Sequence, residues 1–157
     1  MTLKLLAIGK TDNKQLQALI DEYQKRLGFY IKFNFEIVPD VKKAKKLTEN
    51  ELKKKEGALI LNQLKPTDIL ILLDENGTQM DSIRFSVYLQ EYMNSGVKRL
   101  VFVIGGPYGF SNEIYHKAQG KIALSKMTFS HQMVRLFFIE QLYRGFTILK
   151  NEPYHHR

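Results

Sequence analysis

RLVFVIGGPYGFS, from Arg99 to Ser111, is the stretch on which the fold turns. Leu100 to Ile104 is a continuous apolar run of strand length. Such a run reads as a strand covered on both faces, the kind found in parallel sheets. It empties into Gly105, Gly106, Pro107 and Gly109. In open α/β sheets, ligands bind beyond the carboxyl ends of the strands, and glycine there lets backbone N–H groups approach a ligand closely. The pattern is neither GxGxxG nor a P-loop, because no lysine followed by Ser or Thr completes it. A tight turn and a ligand loop both fit it.

Working outward, DILILLD (Asp68 to Asp74) is a second covered strand, followed by ENGTQMDS as a polar loop. LKLLAIG (Leu3 to Gly9) and FNFEIV (Phe33 to Val38) read as two more strands, and KIALSKMTF as a last short strand and loop. Between them lie helices. Asp12 is expected to cap the first, with Gln15 as capping-box partner; its apolar face is Leu16, Leu19, Ile20, Tyr23 and Leu27. Residues 41 to 64 read as one lysine-rich helix. There Glu49 and Glu51 stand four positions before Lys53 and Lys55 and support a solvated face. Lys42, Lys43, Lys45 and Lys46 have no such acids, which leaves phosphate contact open to them. Asp81 caps a helix bearing Phe85, Tyr88, Leu89 and Tyr92, and Ser111 caps a short one. The alternation predicts an α/β fold with a mainly parallel sheet and helices on both faces, in one domain spanning residues 1–157.

HQMVRLFFIEQLYRGFTILK is the longest predicted helix, with Thr128 or Ser130 near its cap. It is apolar nearly all round through Met133, Val134, Leu136, Phe137, Phe138, Ile139, Leu142, Tyr143 and Phe146. A helix hydrophobic on every side is buried on every side, which in a chain this small points to a homodimer interface. Arg135 and Arg144, nine residues apart, project to opposite sides of it; ligand binding and structural ion pairing with Glu140 are both open to them.

Composition narrows the function. Lys plus Arg number 24 against 16 acids, a net charge of +8, which fits a polyanionic partner or simple solubility. There is no cysteine, which excludes disulfides, thiolate metal sites and cysteine nucleophiles. Neither GxSxG nor HExxH occurs, and the four histidines lack metal-ligand spacing, so no metal is expected. No apolar run is long enough to cross a membrane. MTLKLLAIGK lacks a cleavage site and reads as a first strand, so a cytoplasmic location is expected.

VFVIGGPYG, LSKMTFSHQMVR, FIEQLYRGF and the terminal PYHHR together resemble the RlmH (YbeA) family, SPOUT-class methyltransferases of 23S ribosomal RNA. LKLLAIGK, EYQKRL and KKKEG extend the resemblance over the whole chain. It implies a C-terminal trefoil knot, a homodimer, S-adenosylmethionine as methyl donor, and N3-methylation of a pseudouridine in 23S rRNA on assembled ribosomes. By position it puts the cofactor on Leu73, Gly105, Gly106 and the run Leu124, Ser125, Lys126, Met127, Thr128 and Phe129. It puts the target base at Tyr154 and His155. His155 is then a candidate general base, Tyr154 a stacking or hydrogen-bonding group, and Arg135 and Arg144 phosphate ligands, with Arg144 also in the catalytic group. The family commonly carries proline where this chain has Ser130, which restores a backbone donor there. Pro153 stiffens the approach to the tail. Two rivals follow from the residues alone: a nucleotide- or flavin-binding α/β module using IGGPYG, and a basic RNA-binding factor without catalysis.

Overall fold

A computed structural model describes residues 1–156. Its elements run β1 (Thr2–Ile8), α1 (Lys14–Leu27), β2 (Lys32–Val38), α2 (Glu49–Leu61), β3 (Ile69–Gln79), α3 (Ser82–Asn94), β4 (Arg99–Ile104), α4 (Asn112–Lys117), β5 (Gly120–Ala123) and α5 (Met133–Leu149). The five strands form one sheet in the order β2-β1-β4-β3-β5, and every pairing is parallel. The continuous apolar run at Leu100–Ile104 is explained by its place: β4 is the central strand.

Strand periodicity divides the side chains between two layers. Leu3, Leu5, Ala7, Leu100, Phe102 and Ile104 face α1, α3 and α5. Leu6, Ile8, Val101 and Val103 face α2 and α4. The predicted architecture, a parallel sheet with helices on both faces, is the one observed. Because all strands run the same way, their carboxyl ends lie along one edge, and the glycine loop after β4 sits in the middle of it.

Three local readings are corrected. The cap of α1 is Asn13, not Asp12: Asn13 Oδ1 accepts from the backbone N–H groups of Gln15 and Leu16 at 2.9 and 3.0 Å. Residues 41 to 64 are not one helix. Thr48 and Glu51 close a reciprocal capping box that starts α2 at Glu49. Upstream, Lys43 takes a left-handed conformation (φ 57°) and Ala44–Lys46 form a single 3-10 turn. The polar loop ENGTQ is part of β3, which shifts register between Leu73 and Thr78. The shift brings Gly77 so close to β5 that a Cβ would fall 2.5 Å from the Ile122 carbonyl carbon, so only glycine fits. It also bulges Asp74, Glu75 and Asn76 outward.

α5 lies across α1 and α3. Phe138, Ile139, Leu142 and Phe146 are buried against the sheet, whereas Met133 and Phe137 remain exposed. The helix is therefore covered on its inner face only within one chain. Its first turn is fixed by Arg135, which is 1% exposed. The guanidinium donates to the carbonyls of Ile8 (2.8 Å), Gly9 (2.9 Å) and His131 (3.1 Å) and to Thr11 Oγ1 (3.1 Å). Four of its donors are thus engaged within the chain, and burial lowers its pKa against the field of Asp12 and Asp40.

Arg135→Met leaves the Ile8 and Gly9 carbonyls buried without those donors and is expected to cost about 2–4 kcal/mol. Urea denaturation measures this, and Arg135→Lys should recover only part, since one ammonium lacks the planar fork that spans both carbonyls.

Candidate active site

The bulge of β3 and the carboxyl ends of β4 and β5 open into a cavity of about 380 Å³, within the range of small-ligand sites. Its walls are the β3 bulge from Leu73 to Asn76, the loop from Gly105 to Phe110, and the β5–α5 connection. Of the residues that sequence placed at a cofactor, Leu73, Gly105, Gly106, Leu124, Ser125, Met127, Thr128 and Phe129 all line it. Lys126 is not among its walls and is exposed.

Local hydrogen bonds shape these walls. Ser125 Oγ accepts from Met127 N–H (2.9 Å), turning the connection back on itself. Ser130 Oγ accepts from Gln132 N–H (3.2 Å), and the Ser130 carbonyl accepts from Val134 N–H (3.0 Å). The residue expected near the cap of α5 therefore leads into the helix although it is not the cap itself. Gly109 takes φ 77°, the left-handed conformation that closes the turn after Pro107.

Sequence reasoning missed several walls. Asp74, Glu75 and Asn76 reach the cavity because β3 bulges, and the only trace of that was the Asn76-Gly77 pair. Tyr115, on α4, donates to Asp74 Oδ2 at 2.5 Å. Burial and that bond push the Tyr115 pKa up to about 12, so it remains a neutral phenol. Apolar walls from Leu73, Ile104, Ile122, Leu124 and Val134 suit a flat heterocycle, and the carboxylates of Asp74 and Glu75 suit a cationic or hydroxylated ligand.

Behind the glycine loop stands Glu56, on α2 and buried. A Cβ at Gly106 would fall 2.5 and 2.6 Å from its carboxylate oxygens, whereas one at Gly105 would meet the Phe110 ring at 3.1 Å. Burial, helped by the nearby Asp40 charge, raises the Glu56 pKa to about 7.

The tail is bound, not frayed. Glu152 N–H donates to the Thr147 carbonyl (2.9 Å), and Tyr30 O–H donates to the Glu152 carboxylate. Tyr154 donates to Glu140 Oε1 at 3.0 Å, lies 3.2 Å from the Tyr23 hydroxyl, and packs edge-on to Tyr143 at 4.7 Å. The Arg144 guanidinium covers the Tyr154 ring at 4.6 Å and pairs with Glu140 at 2.5 Å. Burial opposes the Arg144 charge, but Glu140 offsets it and the pKa is raised. Burial and the bonds to Tyr23 and Glu140 raise that of Tyr154, which leaves it a phenol and not a base.

Arg144 also lies 3.4 Å from His155 Nδ1. His155 lines a second cavity of about 530 Å³, whose Ile122, Ala123, Leu124 and Phe129 wall is shared with the first. Tyr154 and Arg144 line neither cavity. The last tail residue, Arg157, lies outside the described residues.

A parallel sheet whose strand-end loops enclose such a cavity is matched over residues 1–155 by the family model described as a predicted SPOUT methyltransferase. The chain is 71% identical over its full length, and that of the relative, to ribosomal RNA large subunit methyltransferase H of Flavobacterium johnsoniae. Identity to the proteins of that name from Flavobacterium psychrophilum and Christiangramia forsetii is 69% and 67%, again over the whole of each chain. The chain belongs to the SPOUT methyltransferase family, and within it to the large-subunit methyltransferase H group.

Gly106→Ala should destabilise the protein by about 1–3 kcal/mol, because buried Glu56 has little room to yield. Glu56→Ala in the same chain should restore much of the loss, a coupling that a double-mutant cycle reads directly. Glu56 also carries a pH dependence. Its folded pKa lies above the unfolded value, so its contribution is full below the unfolded pKa and is lost as pH rises through about 7. The urea midpoint of the unmodified protein should therefore fall more between about pH 5 and about pH 8 than that of Glu56→Gln.

Proposed function

We propose that this protein is an S-adenosylmethionine-dependent methyltransferase that methylates N3 of a pseudouridine in 23S rRNA, acting on assembled ribosomes as a cytoplasmic homodimer. The observation that carries the reading is the cavity at the β3 bulge and the ends of β4 and β5, which gathers nearly every residue that the family motif puts at the cofactor. The names of the close relatives support the RNA substrate, and the +8 charge accords with it. A single SPOUT domain over residues 1–157, knotted at its C-terminal end, completes the reading.

The residues fit the cofactor. Apolar walls would flank its adenine, backbone groups of the Gly105 and Leu124–Phe129 loops would bond its polar edges, and Asp74 and Glu75 would face its hydroxyl and cationic groups. When bound, it would supply an electrophilic methyl group for N3. The chain must position N3 in line with that methyl group, exclude water from the site, and take up the proton that leaves N3. Positioning supplies most of the rate. His155, beside Arg144 at 3.4 Å, would accept the departing N3 proton as general base. Tyr154, fixed by Tyr23, Glu140 and Arg144, orders the tail and offers an aromatic edge.

The dimer joins these parts. Met127, Phe129, Met133 and Phe137 are large, apolar and exposed along α5 and the loop before it, and Phe129 and Phe137 pack at 5.1 Å. A second copy covering this face would bring its tail to the cofactor cavity across the wall shared by the two cavities.

Calorimetry should show S-adenosylmethionine binding and no binding of NAD or FMN. Deleting residues 154–157 should abolish methylation of ribosomes while cofactor affinity and dimerisation persist. His155→Asn should lose activity as His155→Ala does, since asparagine can hydrogen-bond but cannot titrate; activity kept by His155→Asn would replace the general-base role with hydrogen bonding. Phe137→Arg should shift the protein to monomer in light scattering, because an unpaired charge in that face costs several kcal/mol on burial.

A further inference from the structure

The connection from β2 to α2 has no part in the cofactor cavity or the tail. Within it the seven residues Val41–Leu47 carry Lys42, Lys43, Lys45 and Lys46 and no acid, with Asp40 just before them. All four lysines are exposed, and among the described residues none takes part in an ion pair. The α2 lysines are likewise absent from the ion pairs of the described residues, but Lys54 and Lys55 lie in the field of Glu51, the ordinary arrangement of a solvated helix face.

Two further features mark the segment. Its backbone is held in an uncommon shape. Lys43 sits at φ 57° and ψ 31° and begins a 3-10 turn closed by Lys46 N–H to the Lys43 carbonyl (3.0 Å) and Leu47 N–H to the Ala44 carbonyl (3.0 Å). A residue with a Cβ seldom adopts that conformation, and such outliers concentrate at functional segments. Here it packs four like charges into one turn, where their mutual repulsion favours an anionic partner. The second feature is position. The segment leaves the carboxyl end of β2, and Asp40 at its start reaches the end of β1, where a Cβ on Gly9 would fall 2.6 Å from Asp40 Oδ1. It therefore stands on the edge of the sheet that holds the glycine loop. Exposed Lys10, after β1, and Lys126, after β5, stand on the same edge.

We infer that the Val41–Leu47 turn is a docking surface for the phosphodiester backbone of the RNA substrate, with Lys42, Lys43, Lys45 and Lys46 as its phosphate contacts. The inference rests on the proposed function and adds where the polyanion lies: across the strand-end edge, from the lysine turn toward the cofactor cavity. Contacts of this kind position an RNA without reading its sequence. They also supply the salt-dependent part of the affinity.

The test compares three proteins: the unmodified chain, the quadruple variant Lys42→Gln, Lys43→Gln, Lys45→Gln and Lys46→Gln, and the control Lys53→Gln, Lys54→Gln and Lys55→Gln on α2. Binding to purified ribosomes is measured over a salt series, and S-adenosylmethionine affinity is measured by calorimetry. Four lost phosphate contacts should flatten the log–log salt slope by roughly 3 and weaken binding at low salt by more than tenfold. Cofactor affinity should not change, which also reports that the quadruple variant is folded, and the control should keep most of the slope. An unchanged slope in the quadruple variant beside a steep slope in the unmodified chain overturns the surface and leaves the proposed function standing. An equal loss in the control overturns it too, by reducing the effect to net charge. A flat slope in the unmodified chain overturns the surface and the RNA substrate together.

Discussion

A guanidinium held by backbone carbonyls fixes where the last helix begins. Arg135 is buried with its donors on Ile8, Gly9, His131 and Thr11, and among the described residues no carboxylate pairs with it within ion-pair distance. The charge is tolerable because carbonyl dipoles at the end of β1 replace water, with Asp12 and Asp40 adding to the field. The consequence is geometric. The β5–α5 connection is pinned at Ala123 by the sheet and at Arg135 by this contact, so the loop bounding the cavity is stretched between two fixed points. That is preorganisation at the level of the backbone.

The other end of α5 is treated differently. Glu140, Arg144, Tyr143 and Tyr23 form a polar and aromatic nest that receives Tyr154, and Glu152 is tied to Tyr30 and Thr147. A single helix thus carries the cavity's loop at its start and the tail at its end. Its outer stripe, with Met133 and Phe137 exposed, is the surface a second copy would close. Cavity loop and tail are two uses of one helix, and its outer face is the surface proposed for a second copy.

The fold could be read from the sequence where the signal was hydrophobic periodicity. The covered strand at Leu100–Ile104, the parallel sheet and the two helical layers follow from which residues must avoid water. Reading failed where polar detail decides. Asn13 displaced Asp12 as a cap because both residue types cap well and only their orientation separates them. The helix expected from residue 41 starts at Glu49 because a capping box outweighs a run of lysines. The β3 bulge was hidden because a polar segment can continue a strand when Gly77 lets β5 approach. Among the cavity walls, the glycine loop and all of Leu124–Phe129 but Lys126 were named through the family motif, whereas Asp74 and Tyr115 carry no motif and needed the fold to bring them in. For Arg135 the sequence left ligand binding and a structural role open, and only the fold shows the carbonyls of Ile8, Gly9 and His131 as its partners.

The most direct measurement is mass spectrometry of 23S rRNA after ribosomes that lack the modification are incubated with the purified protein and methyl-labelled S-adenosylmethionine. The account requires one label, on N3 of a pseudouridine, absent when the cofactor is omitted. Ribosomal RNA that stays unlabelled while the protein is folded, dimeric and loaded with cofactor would contradict it.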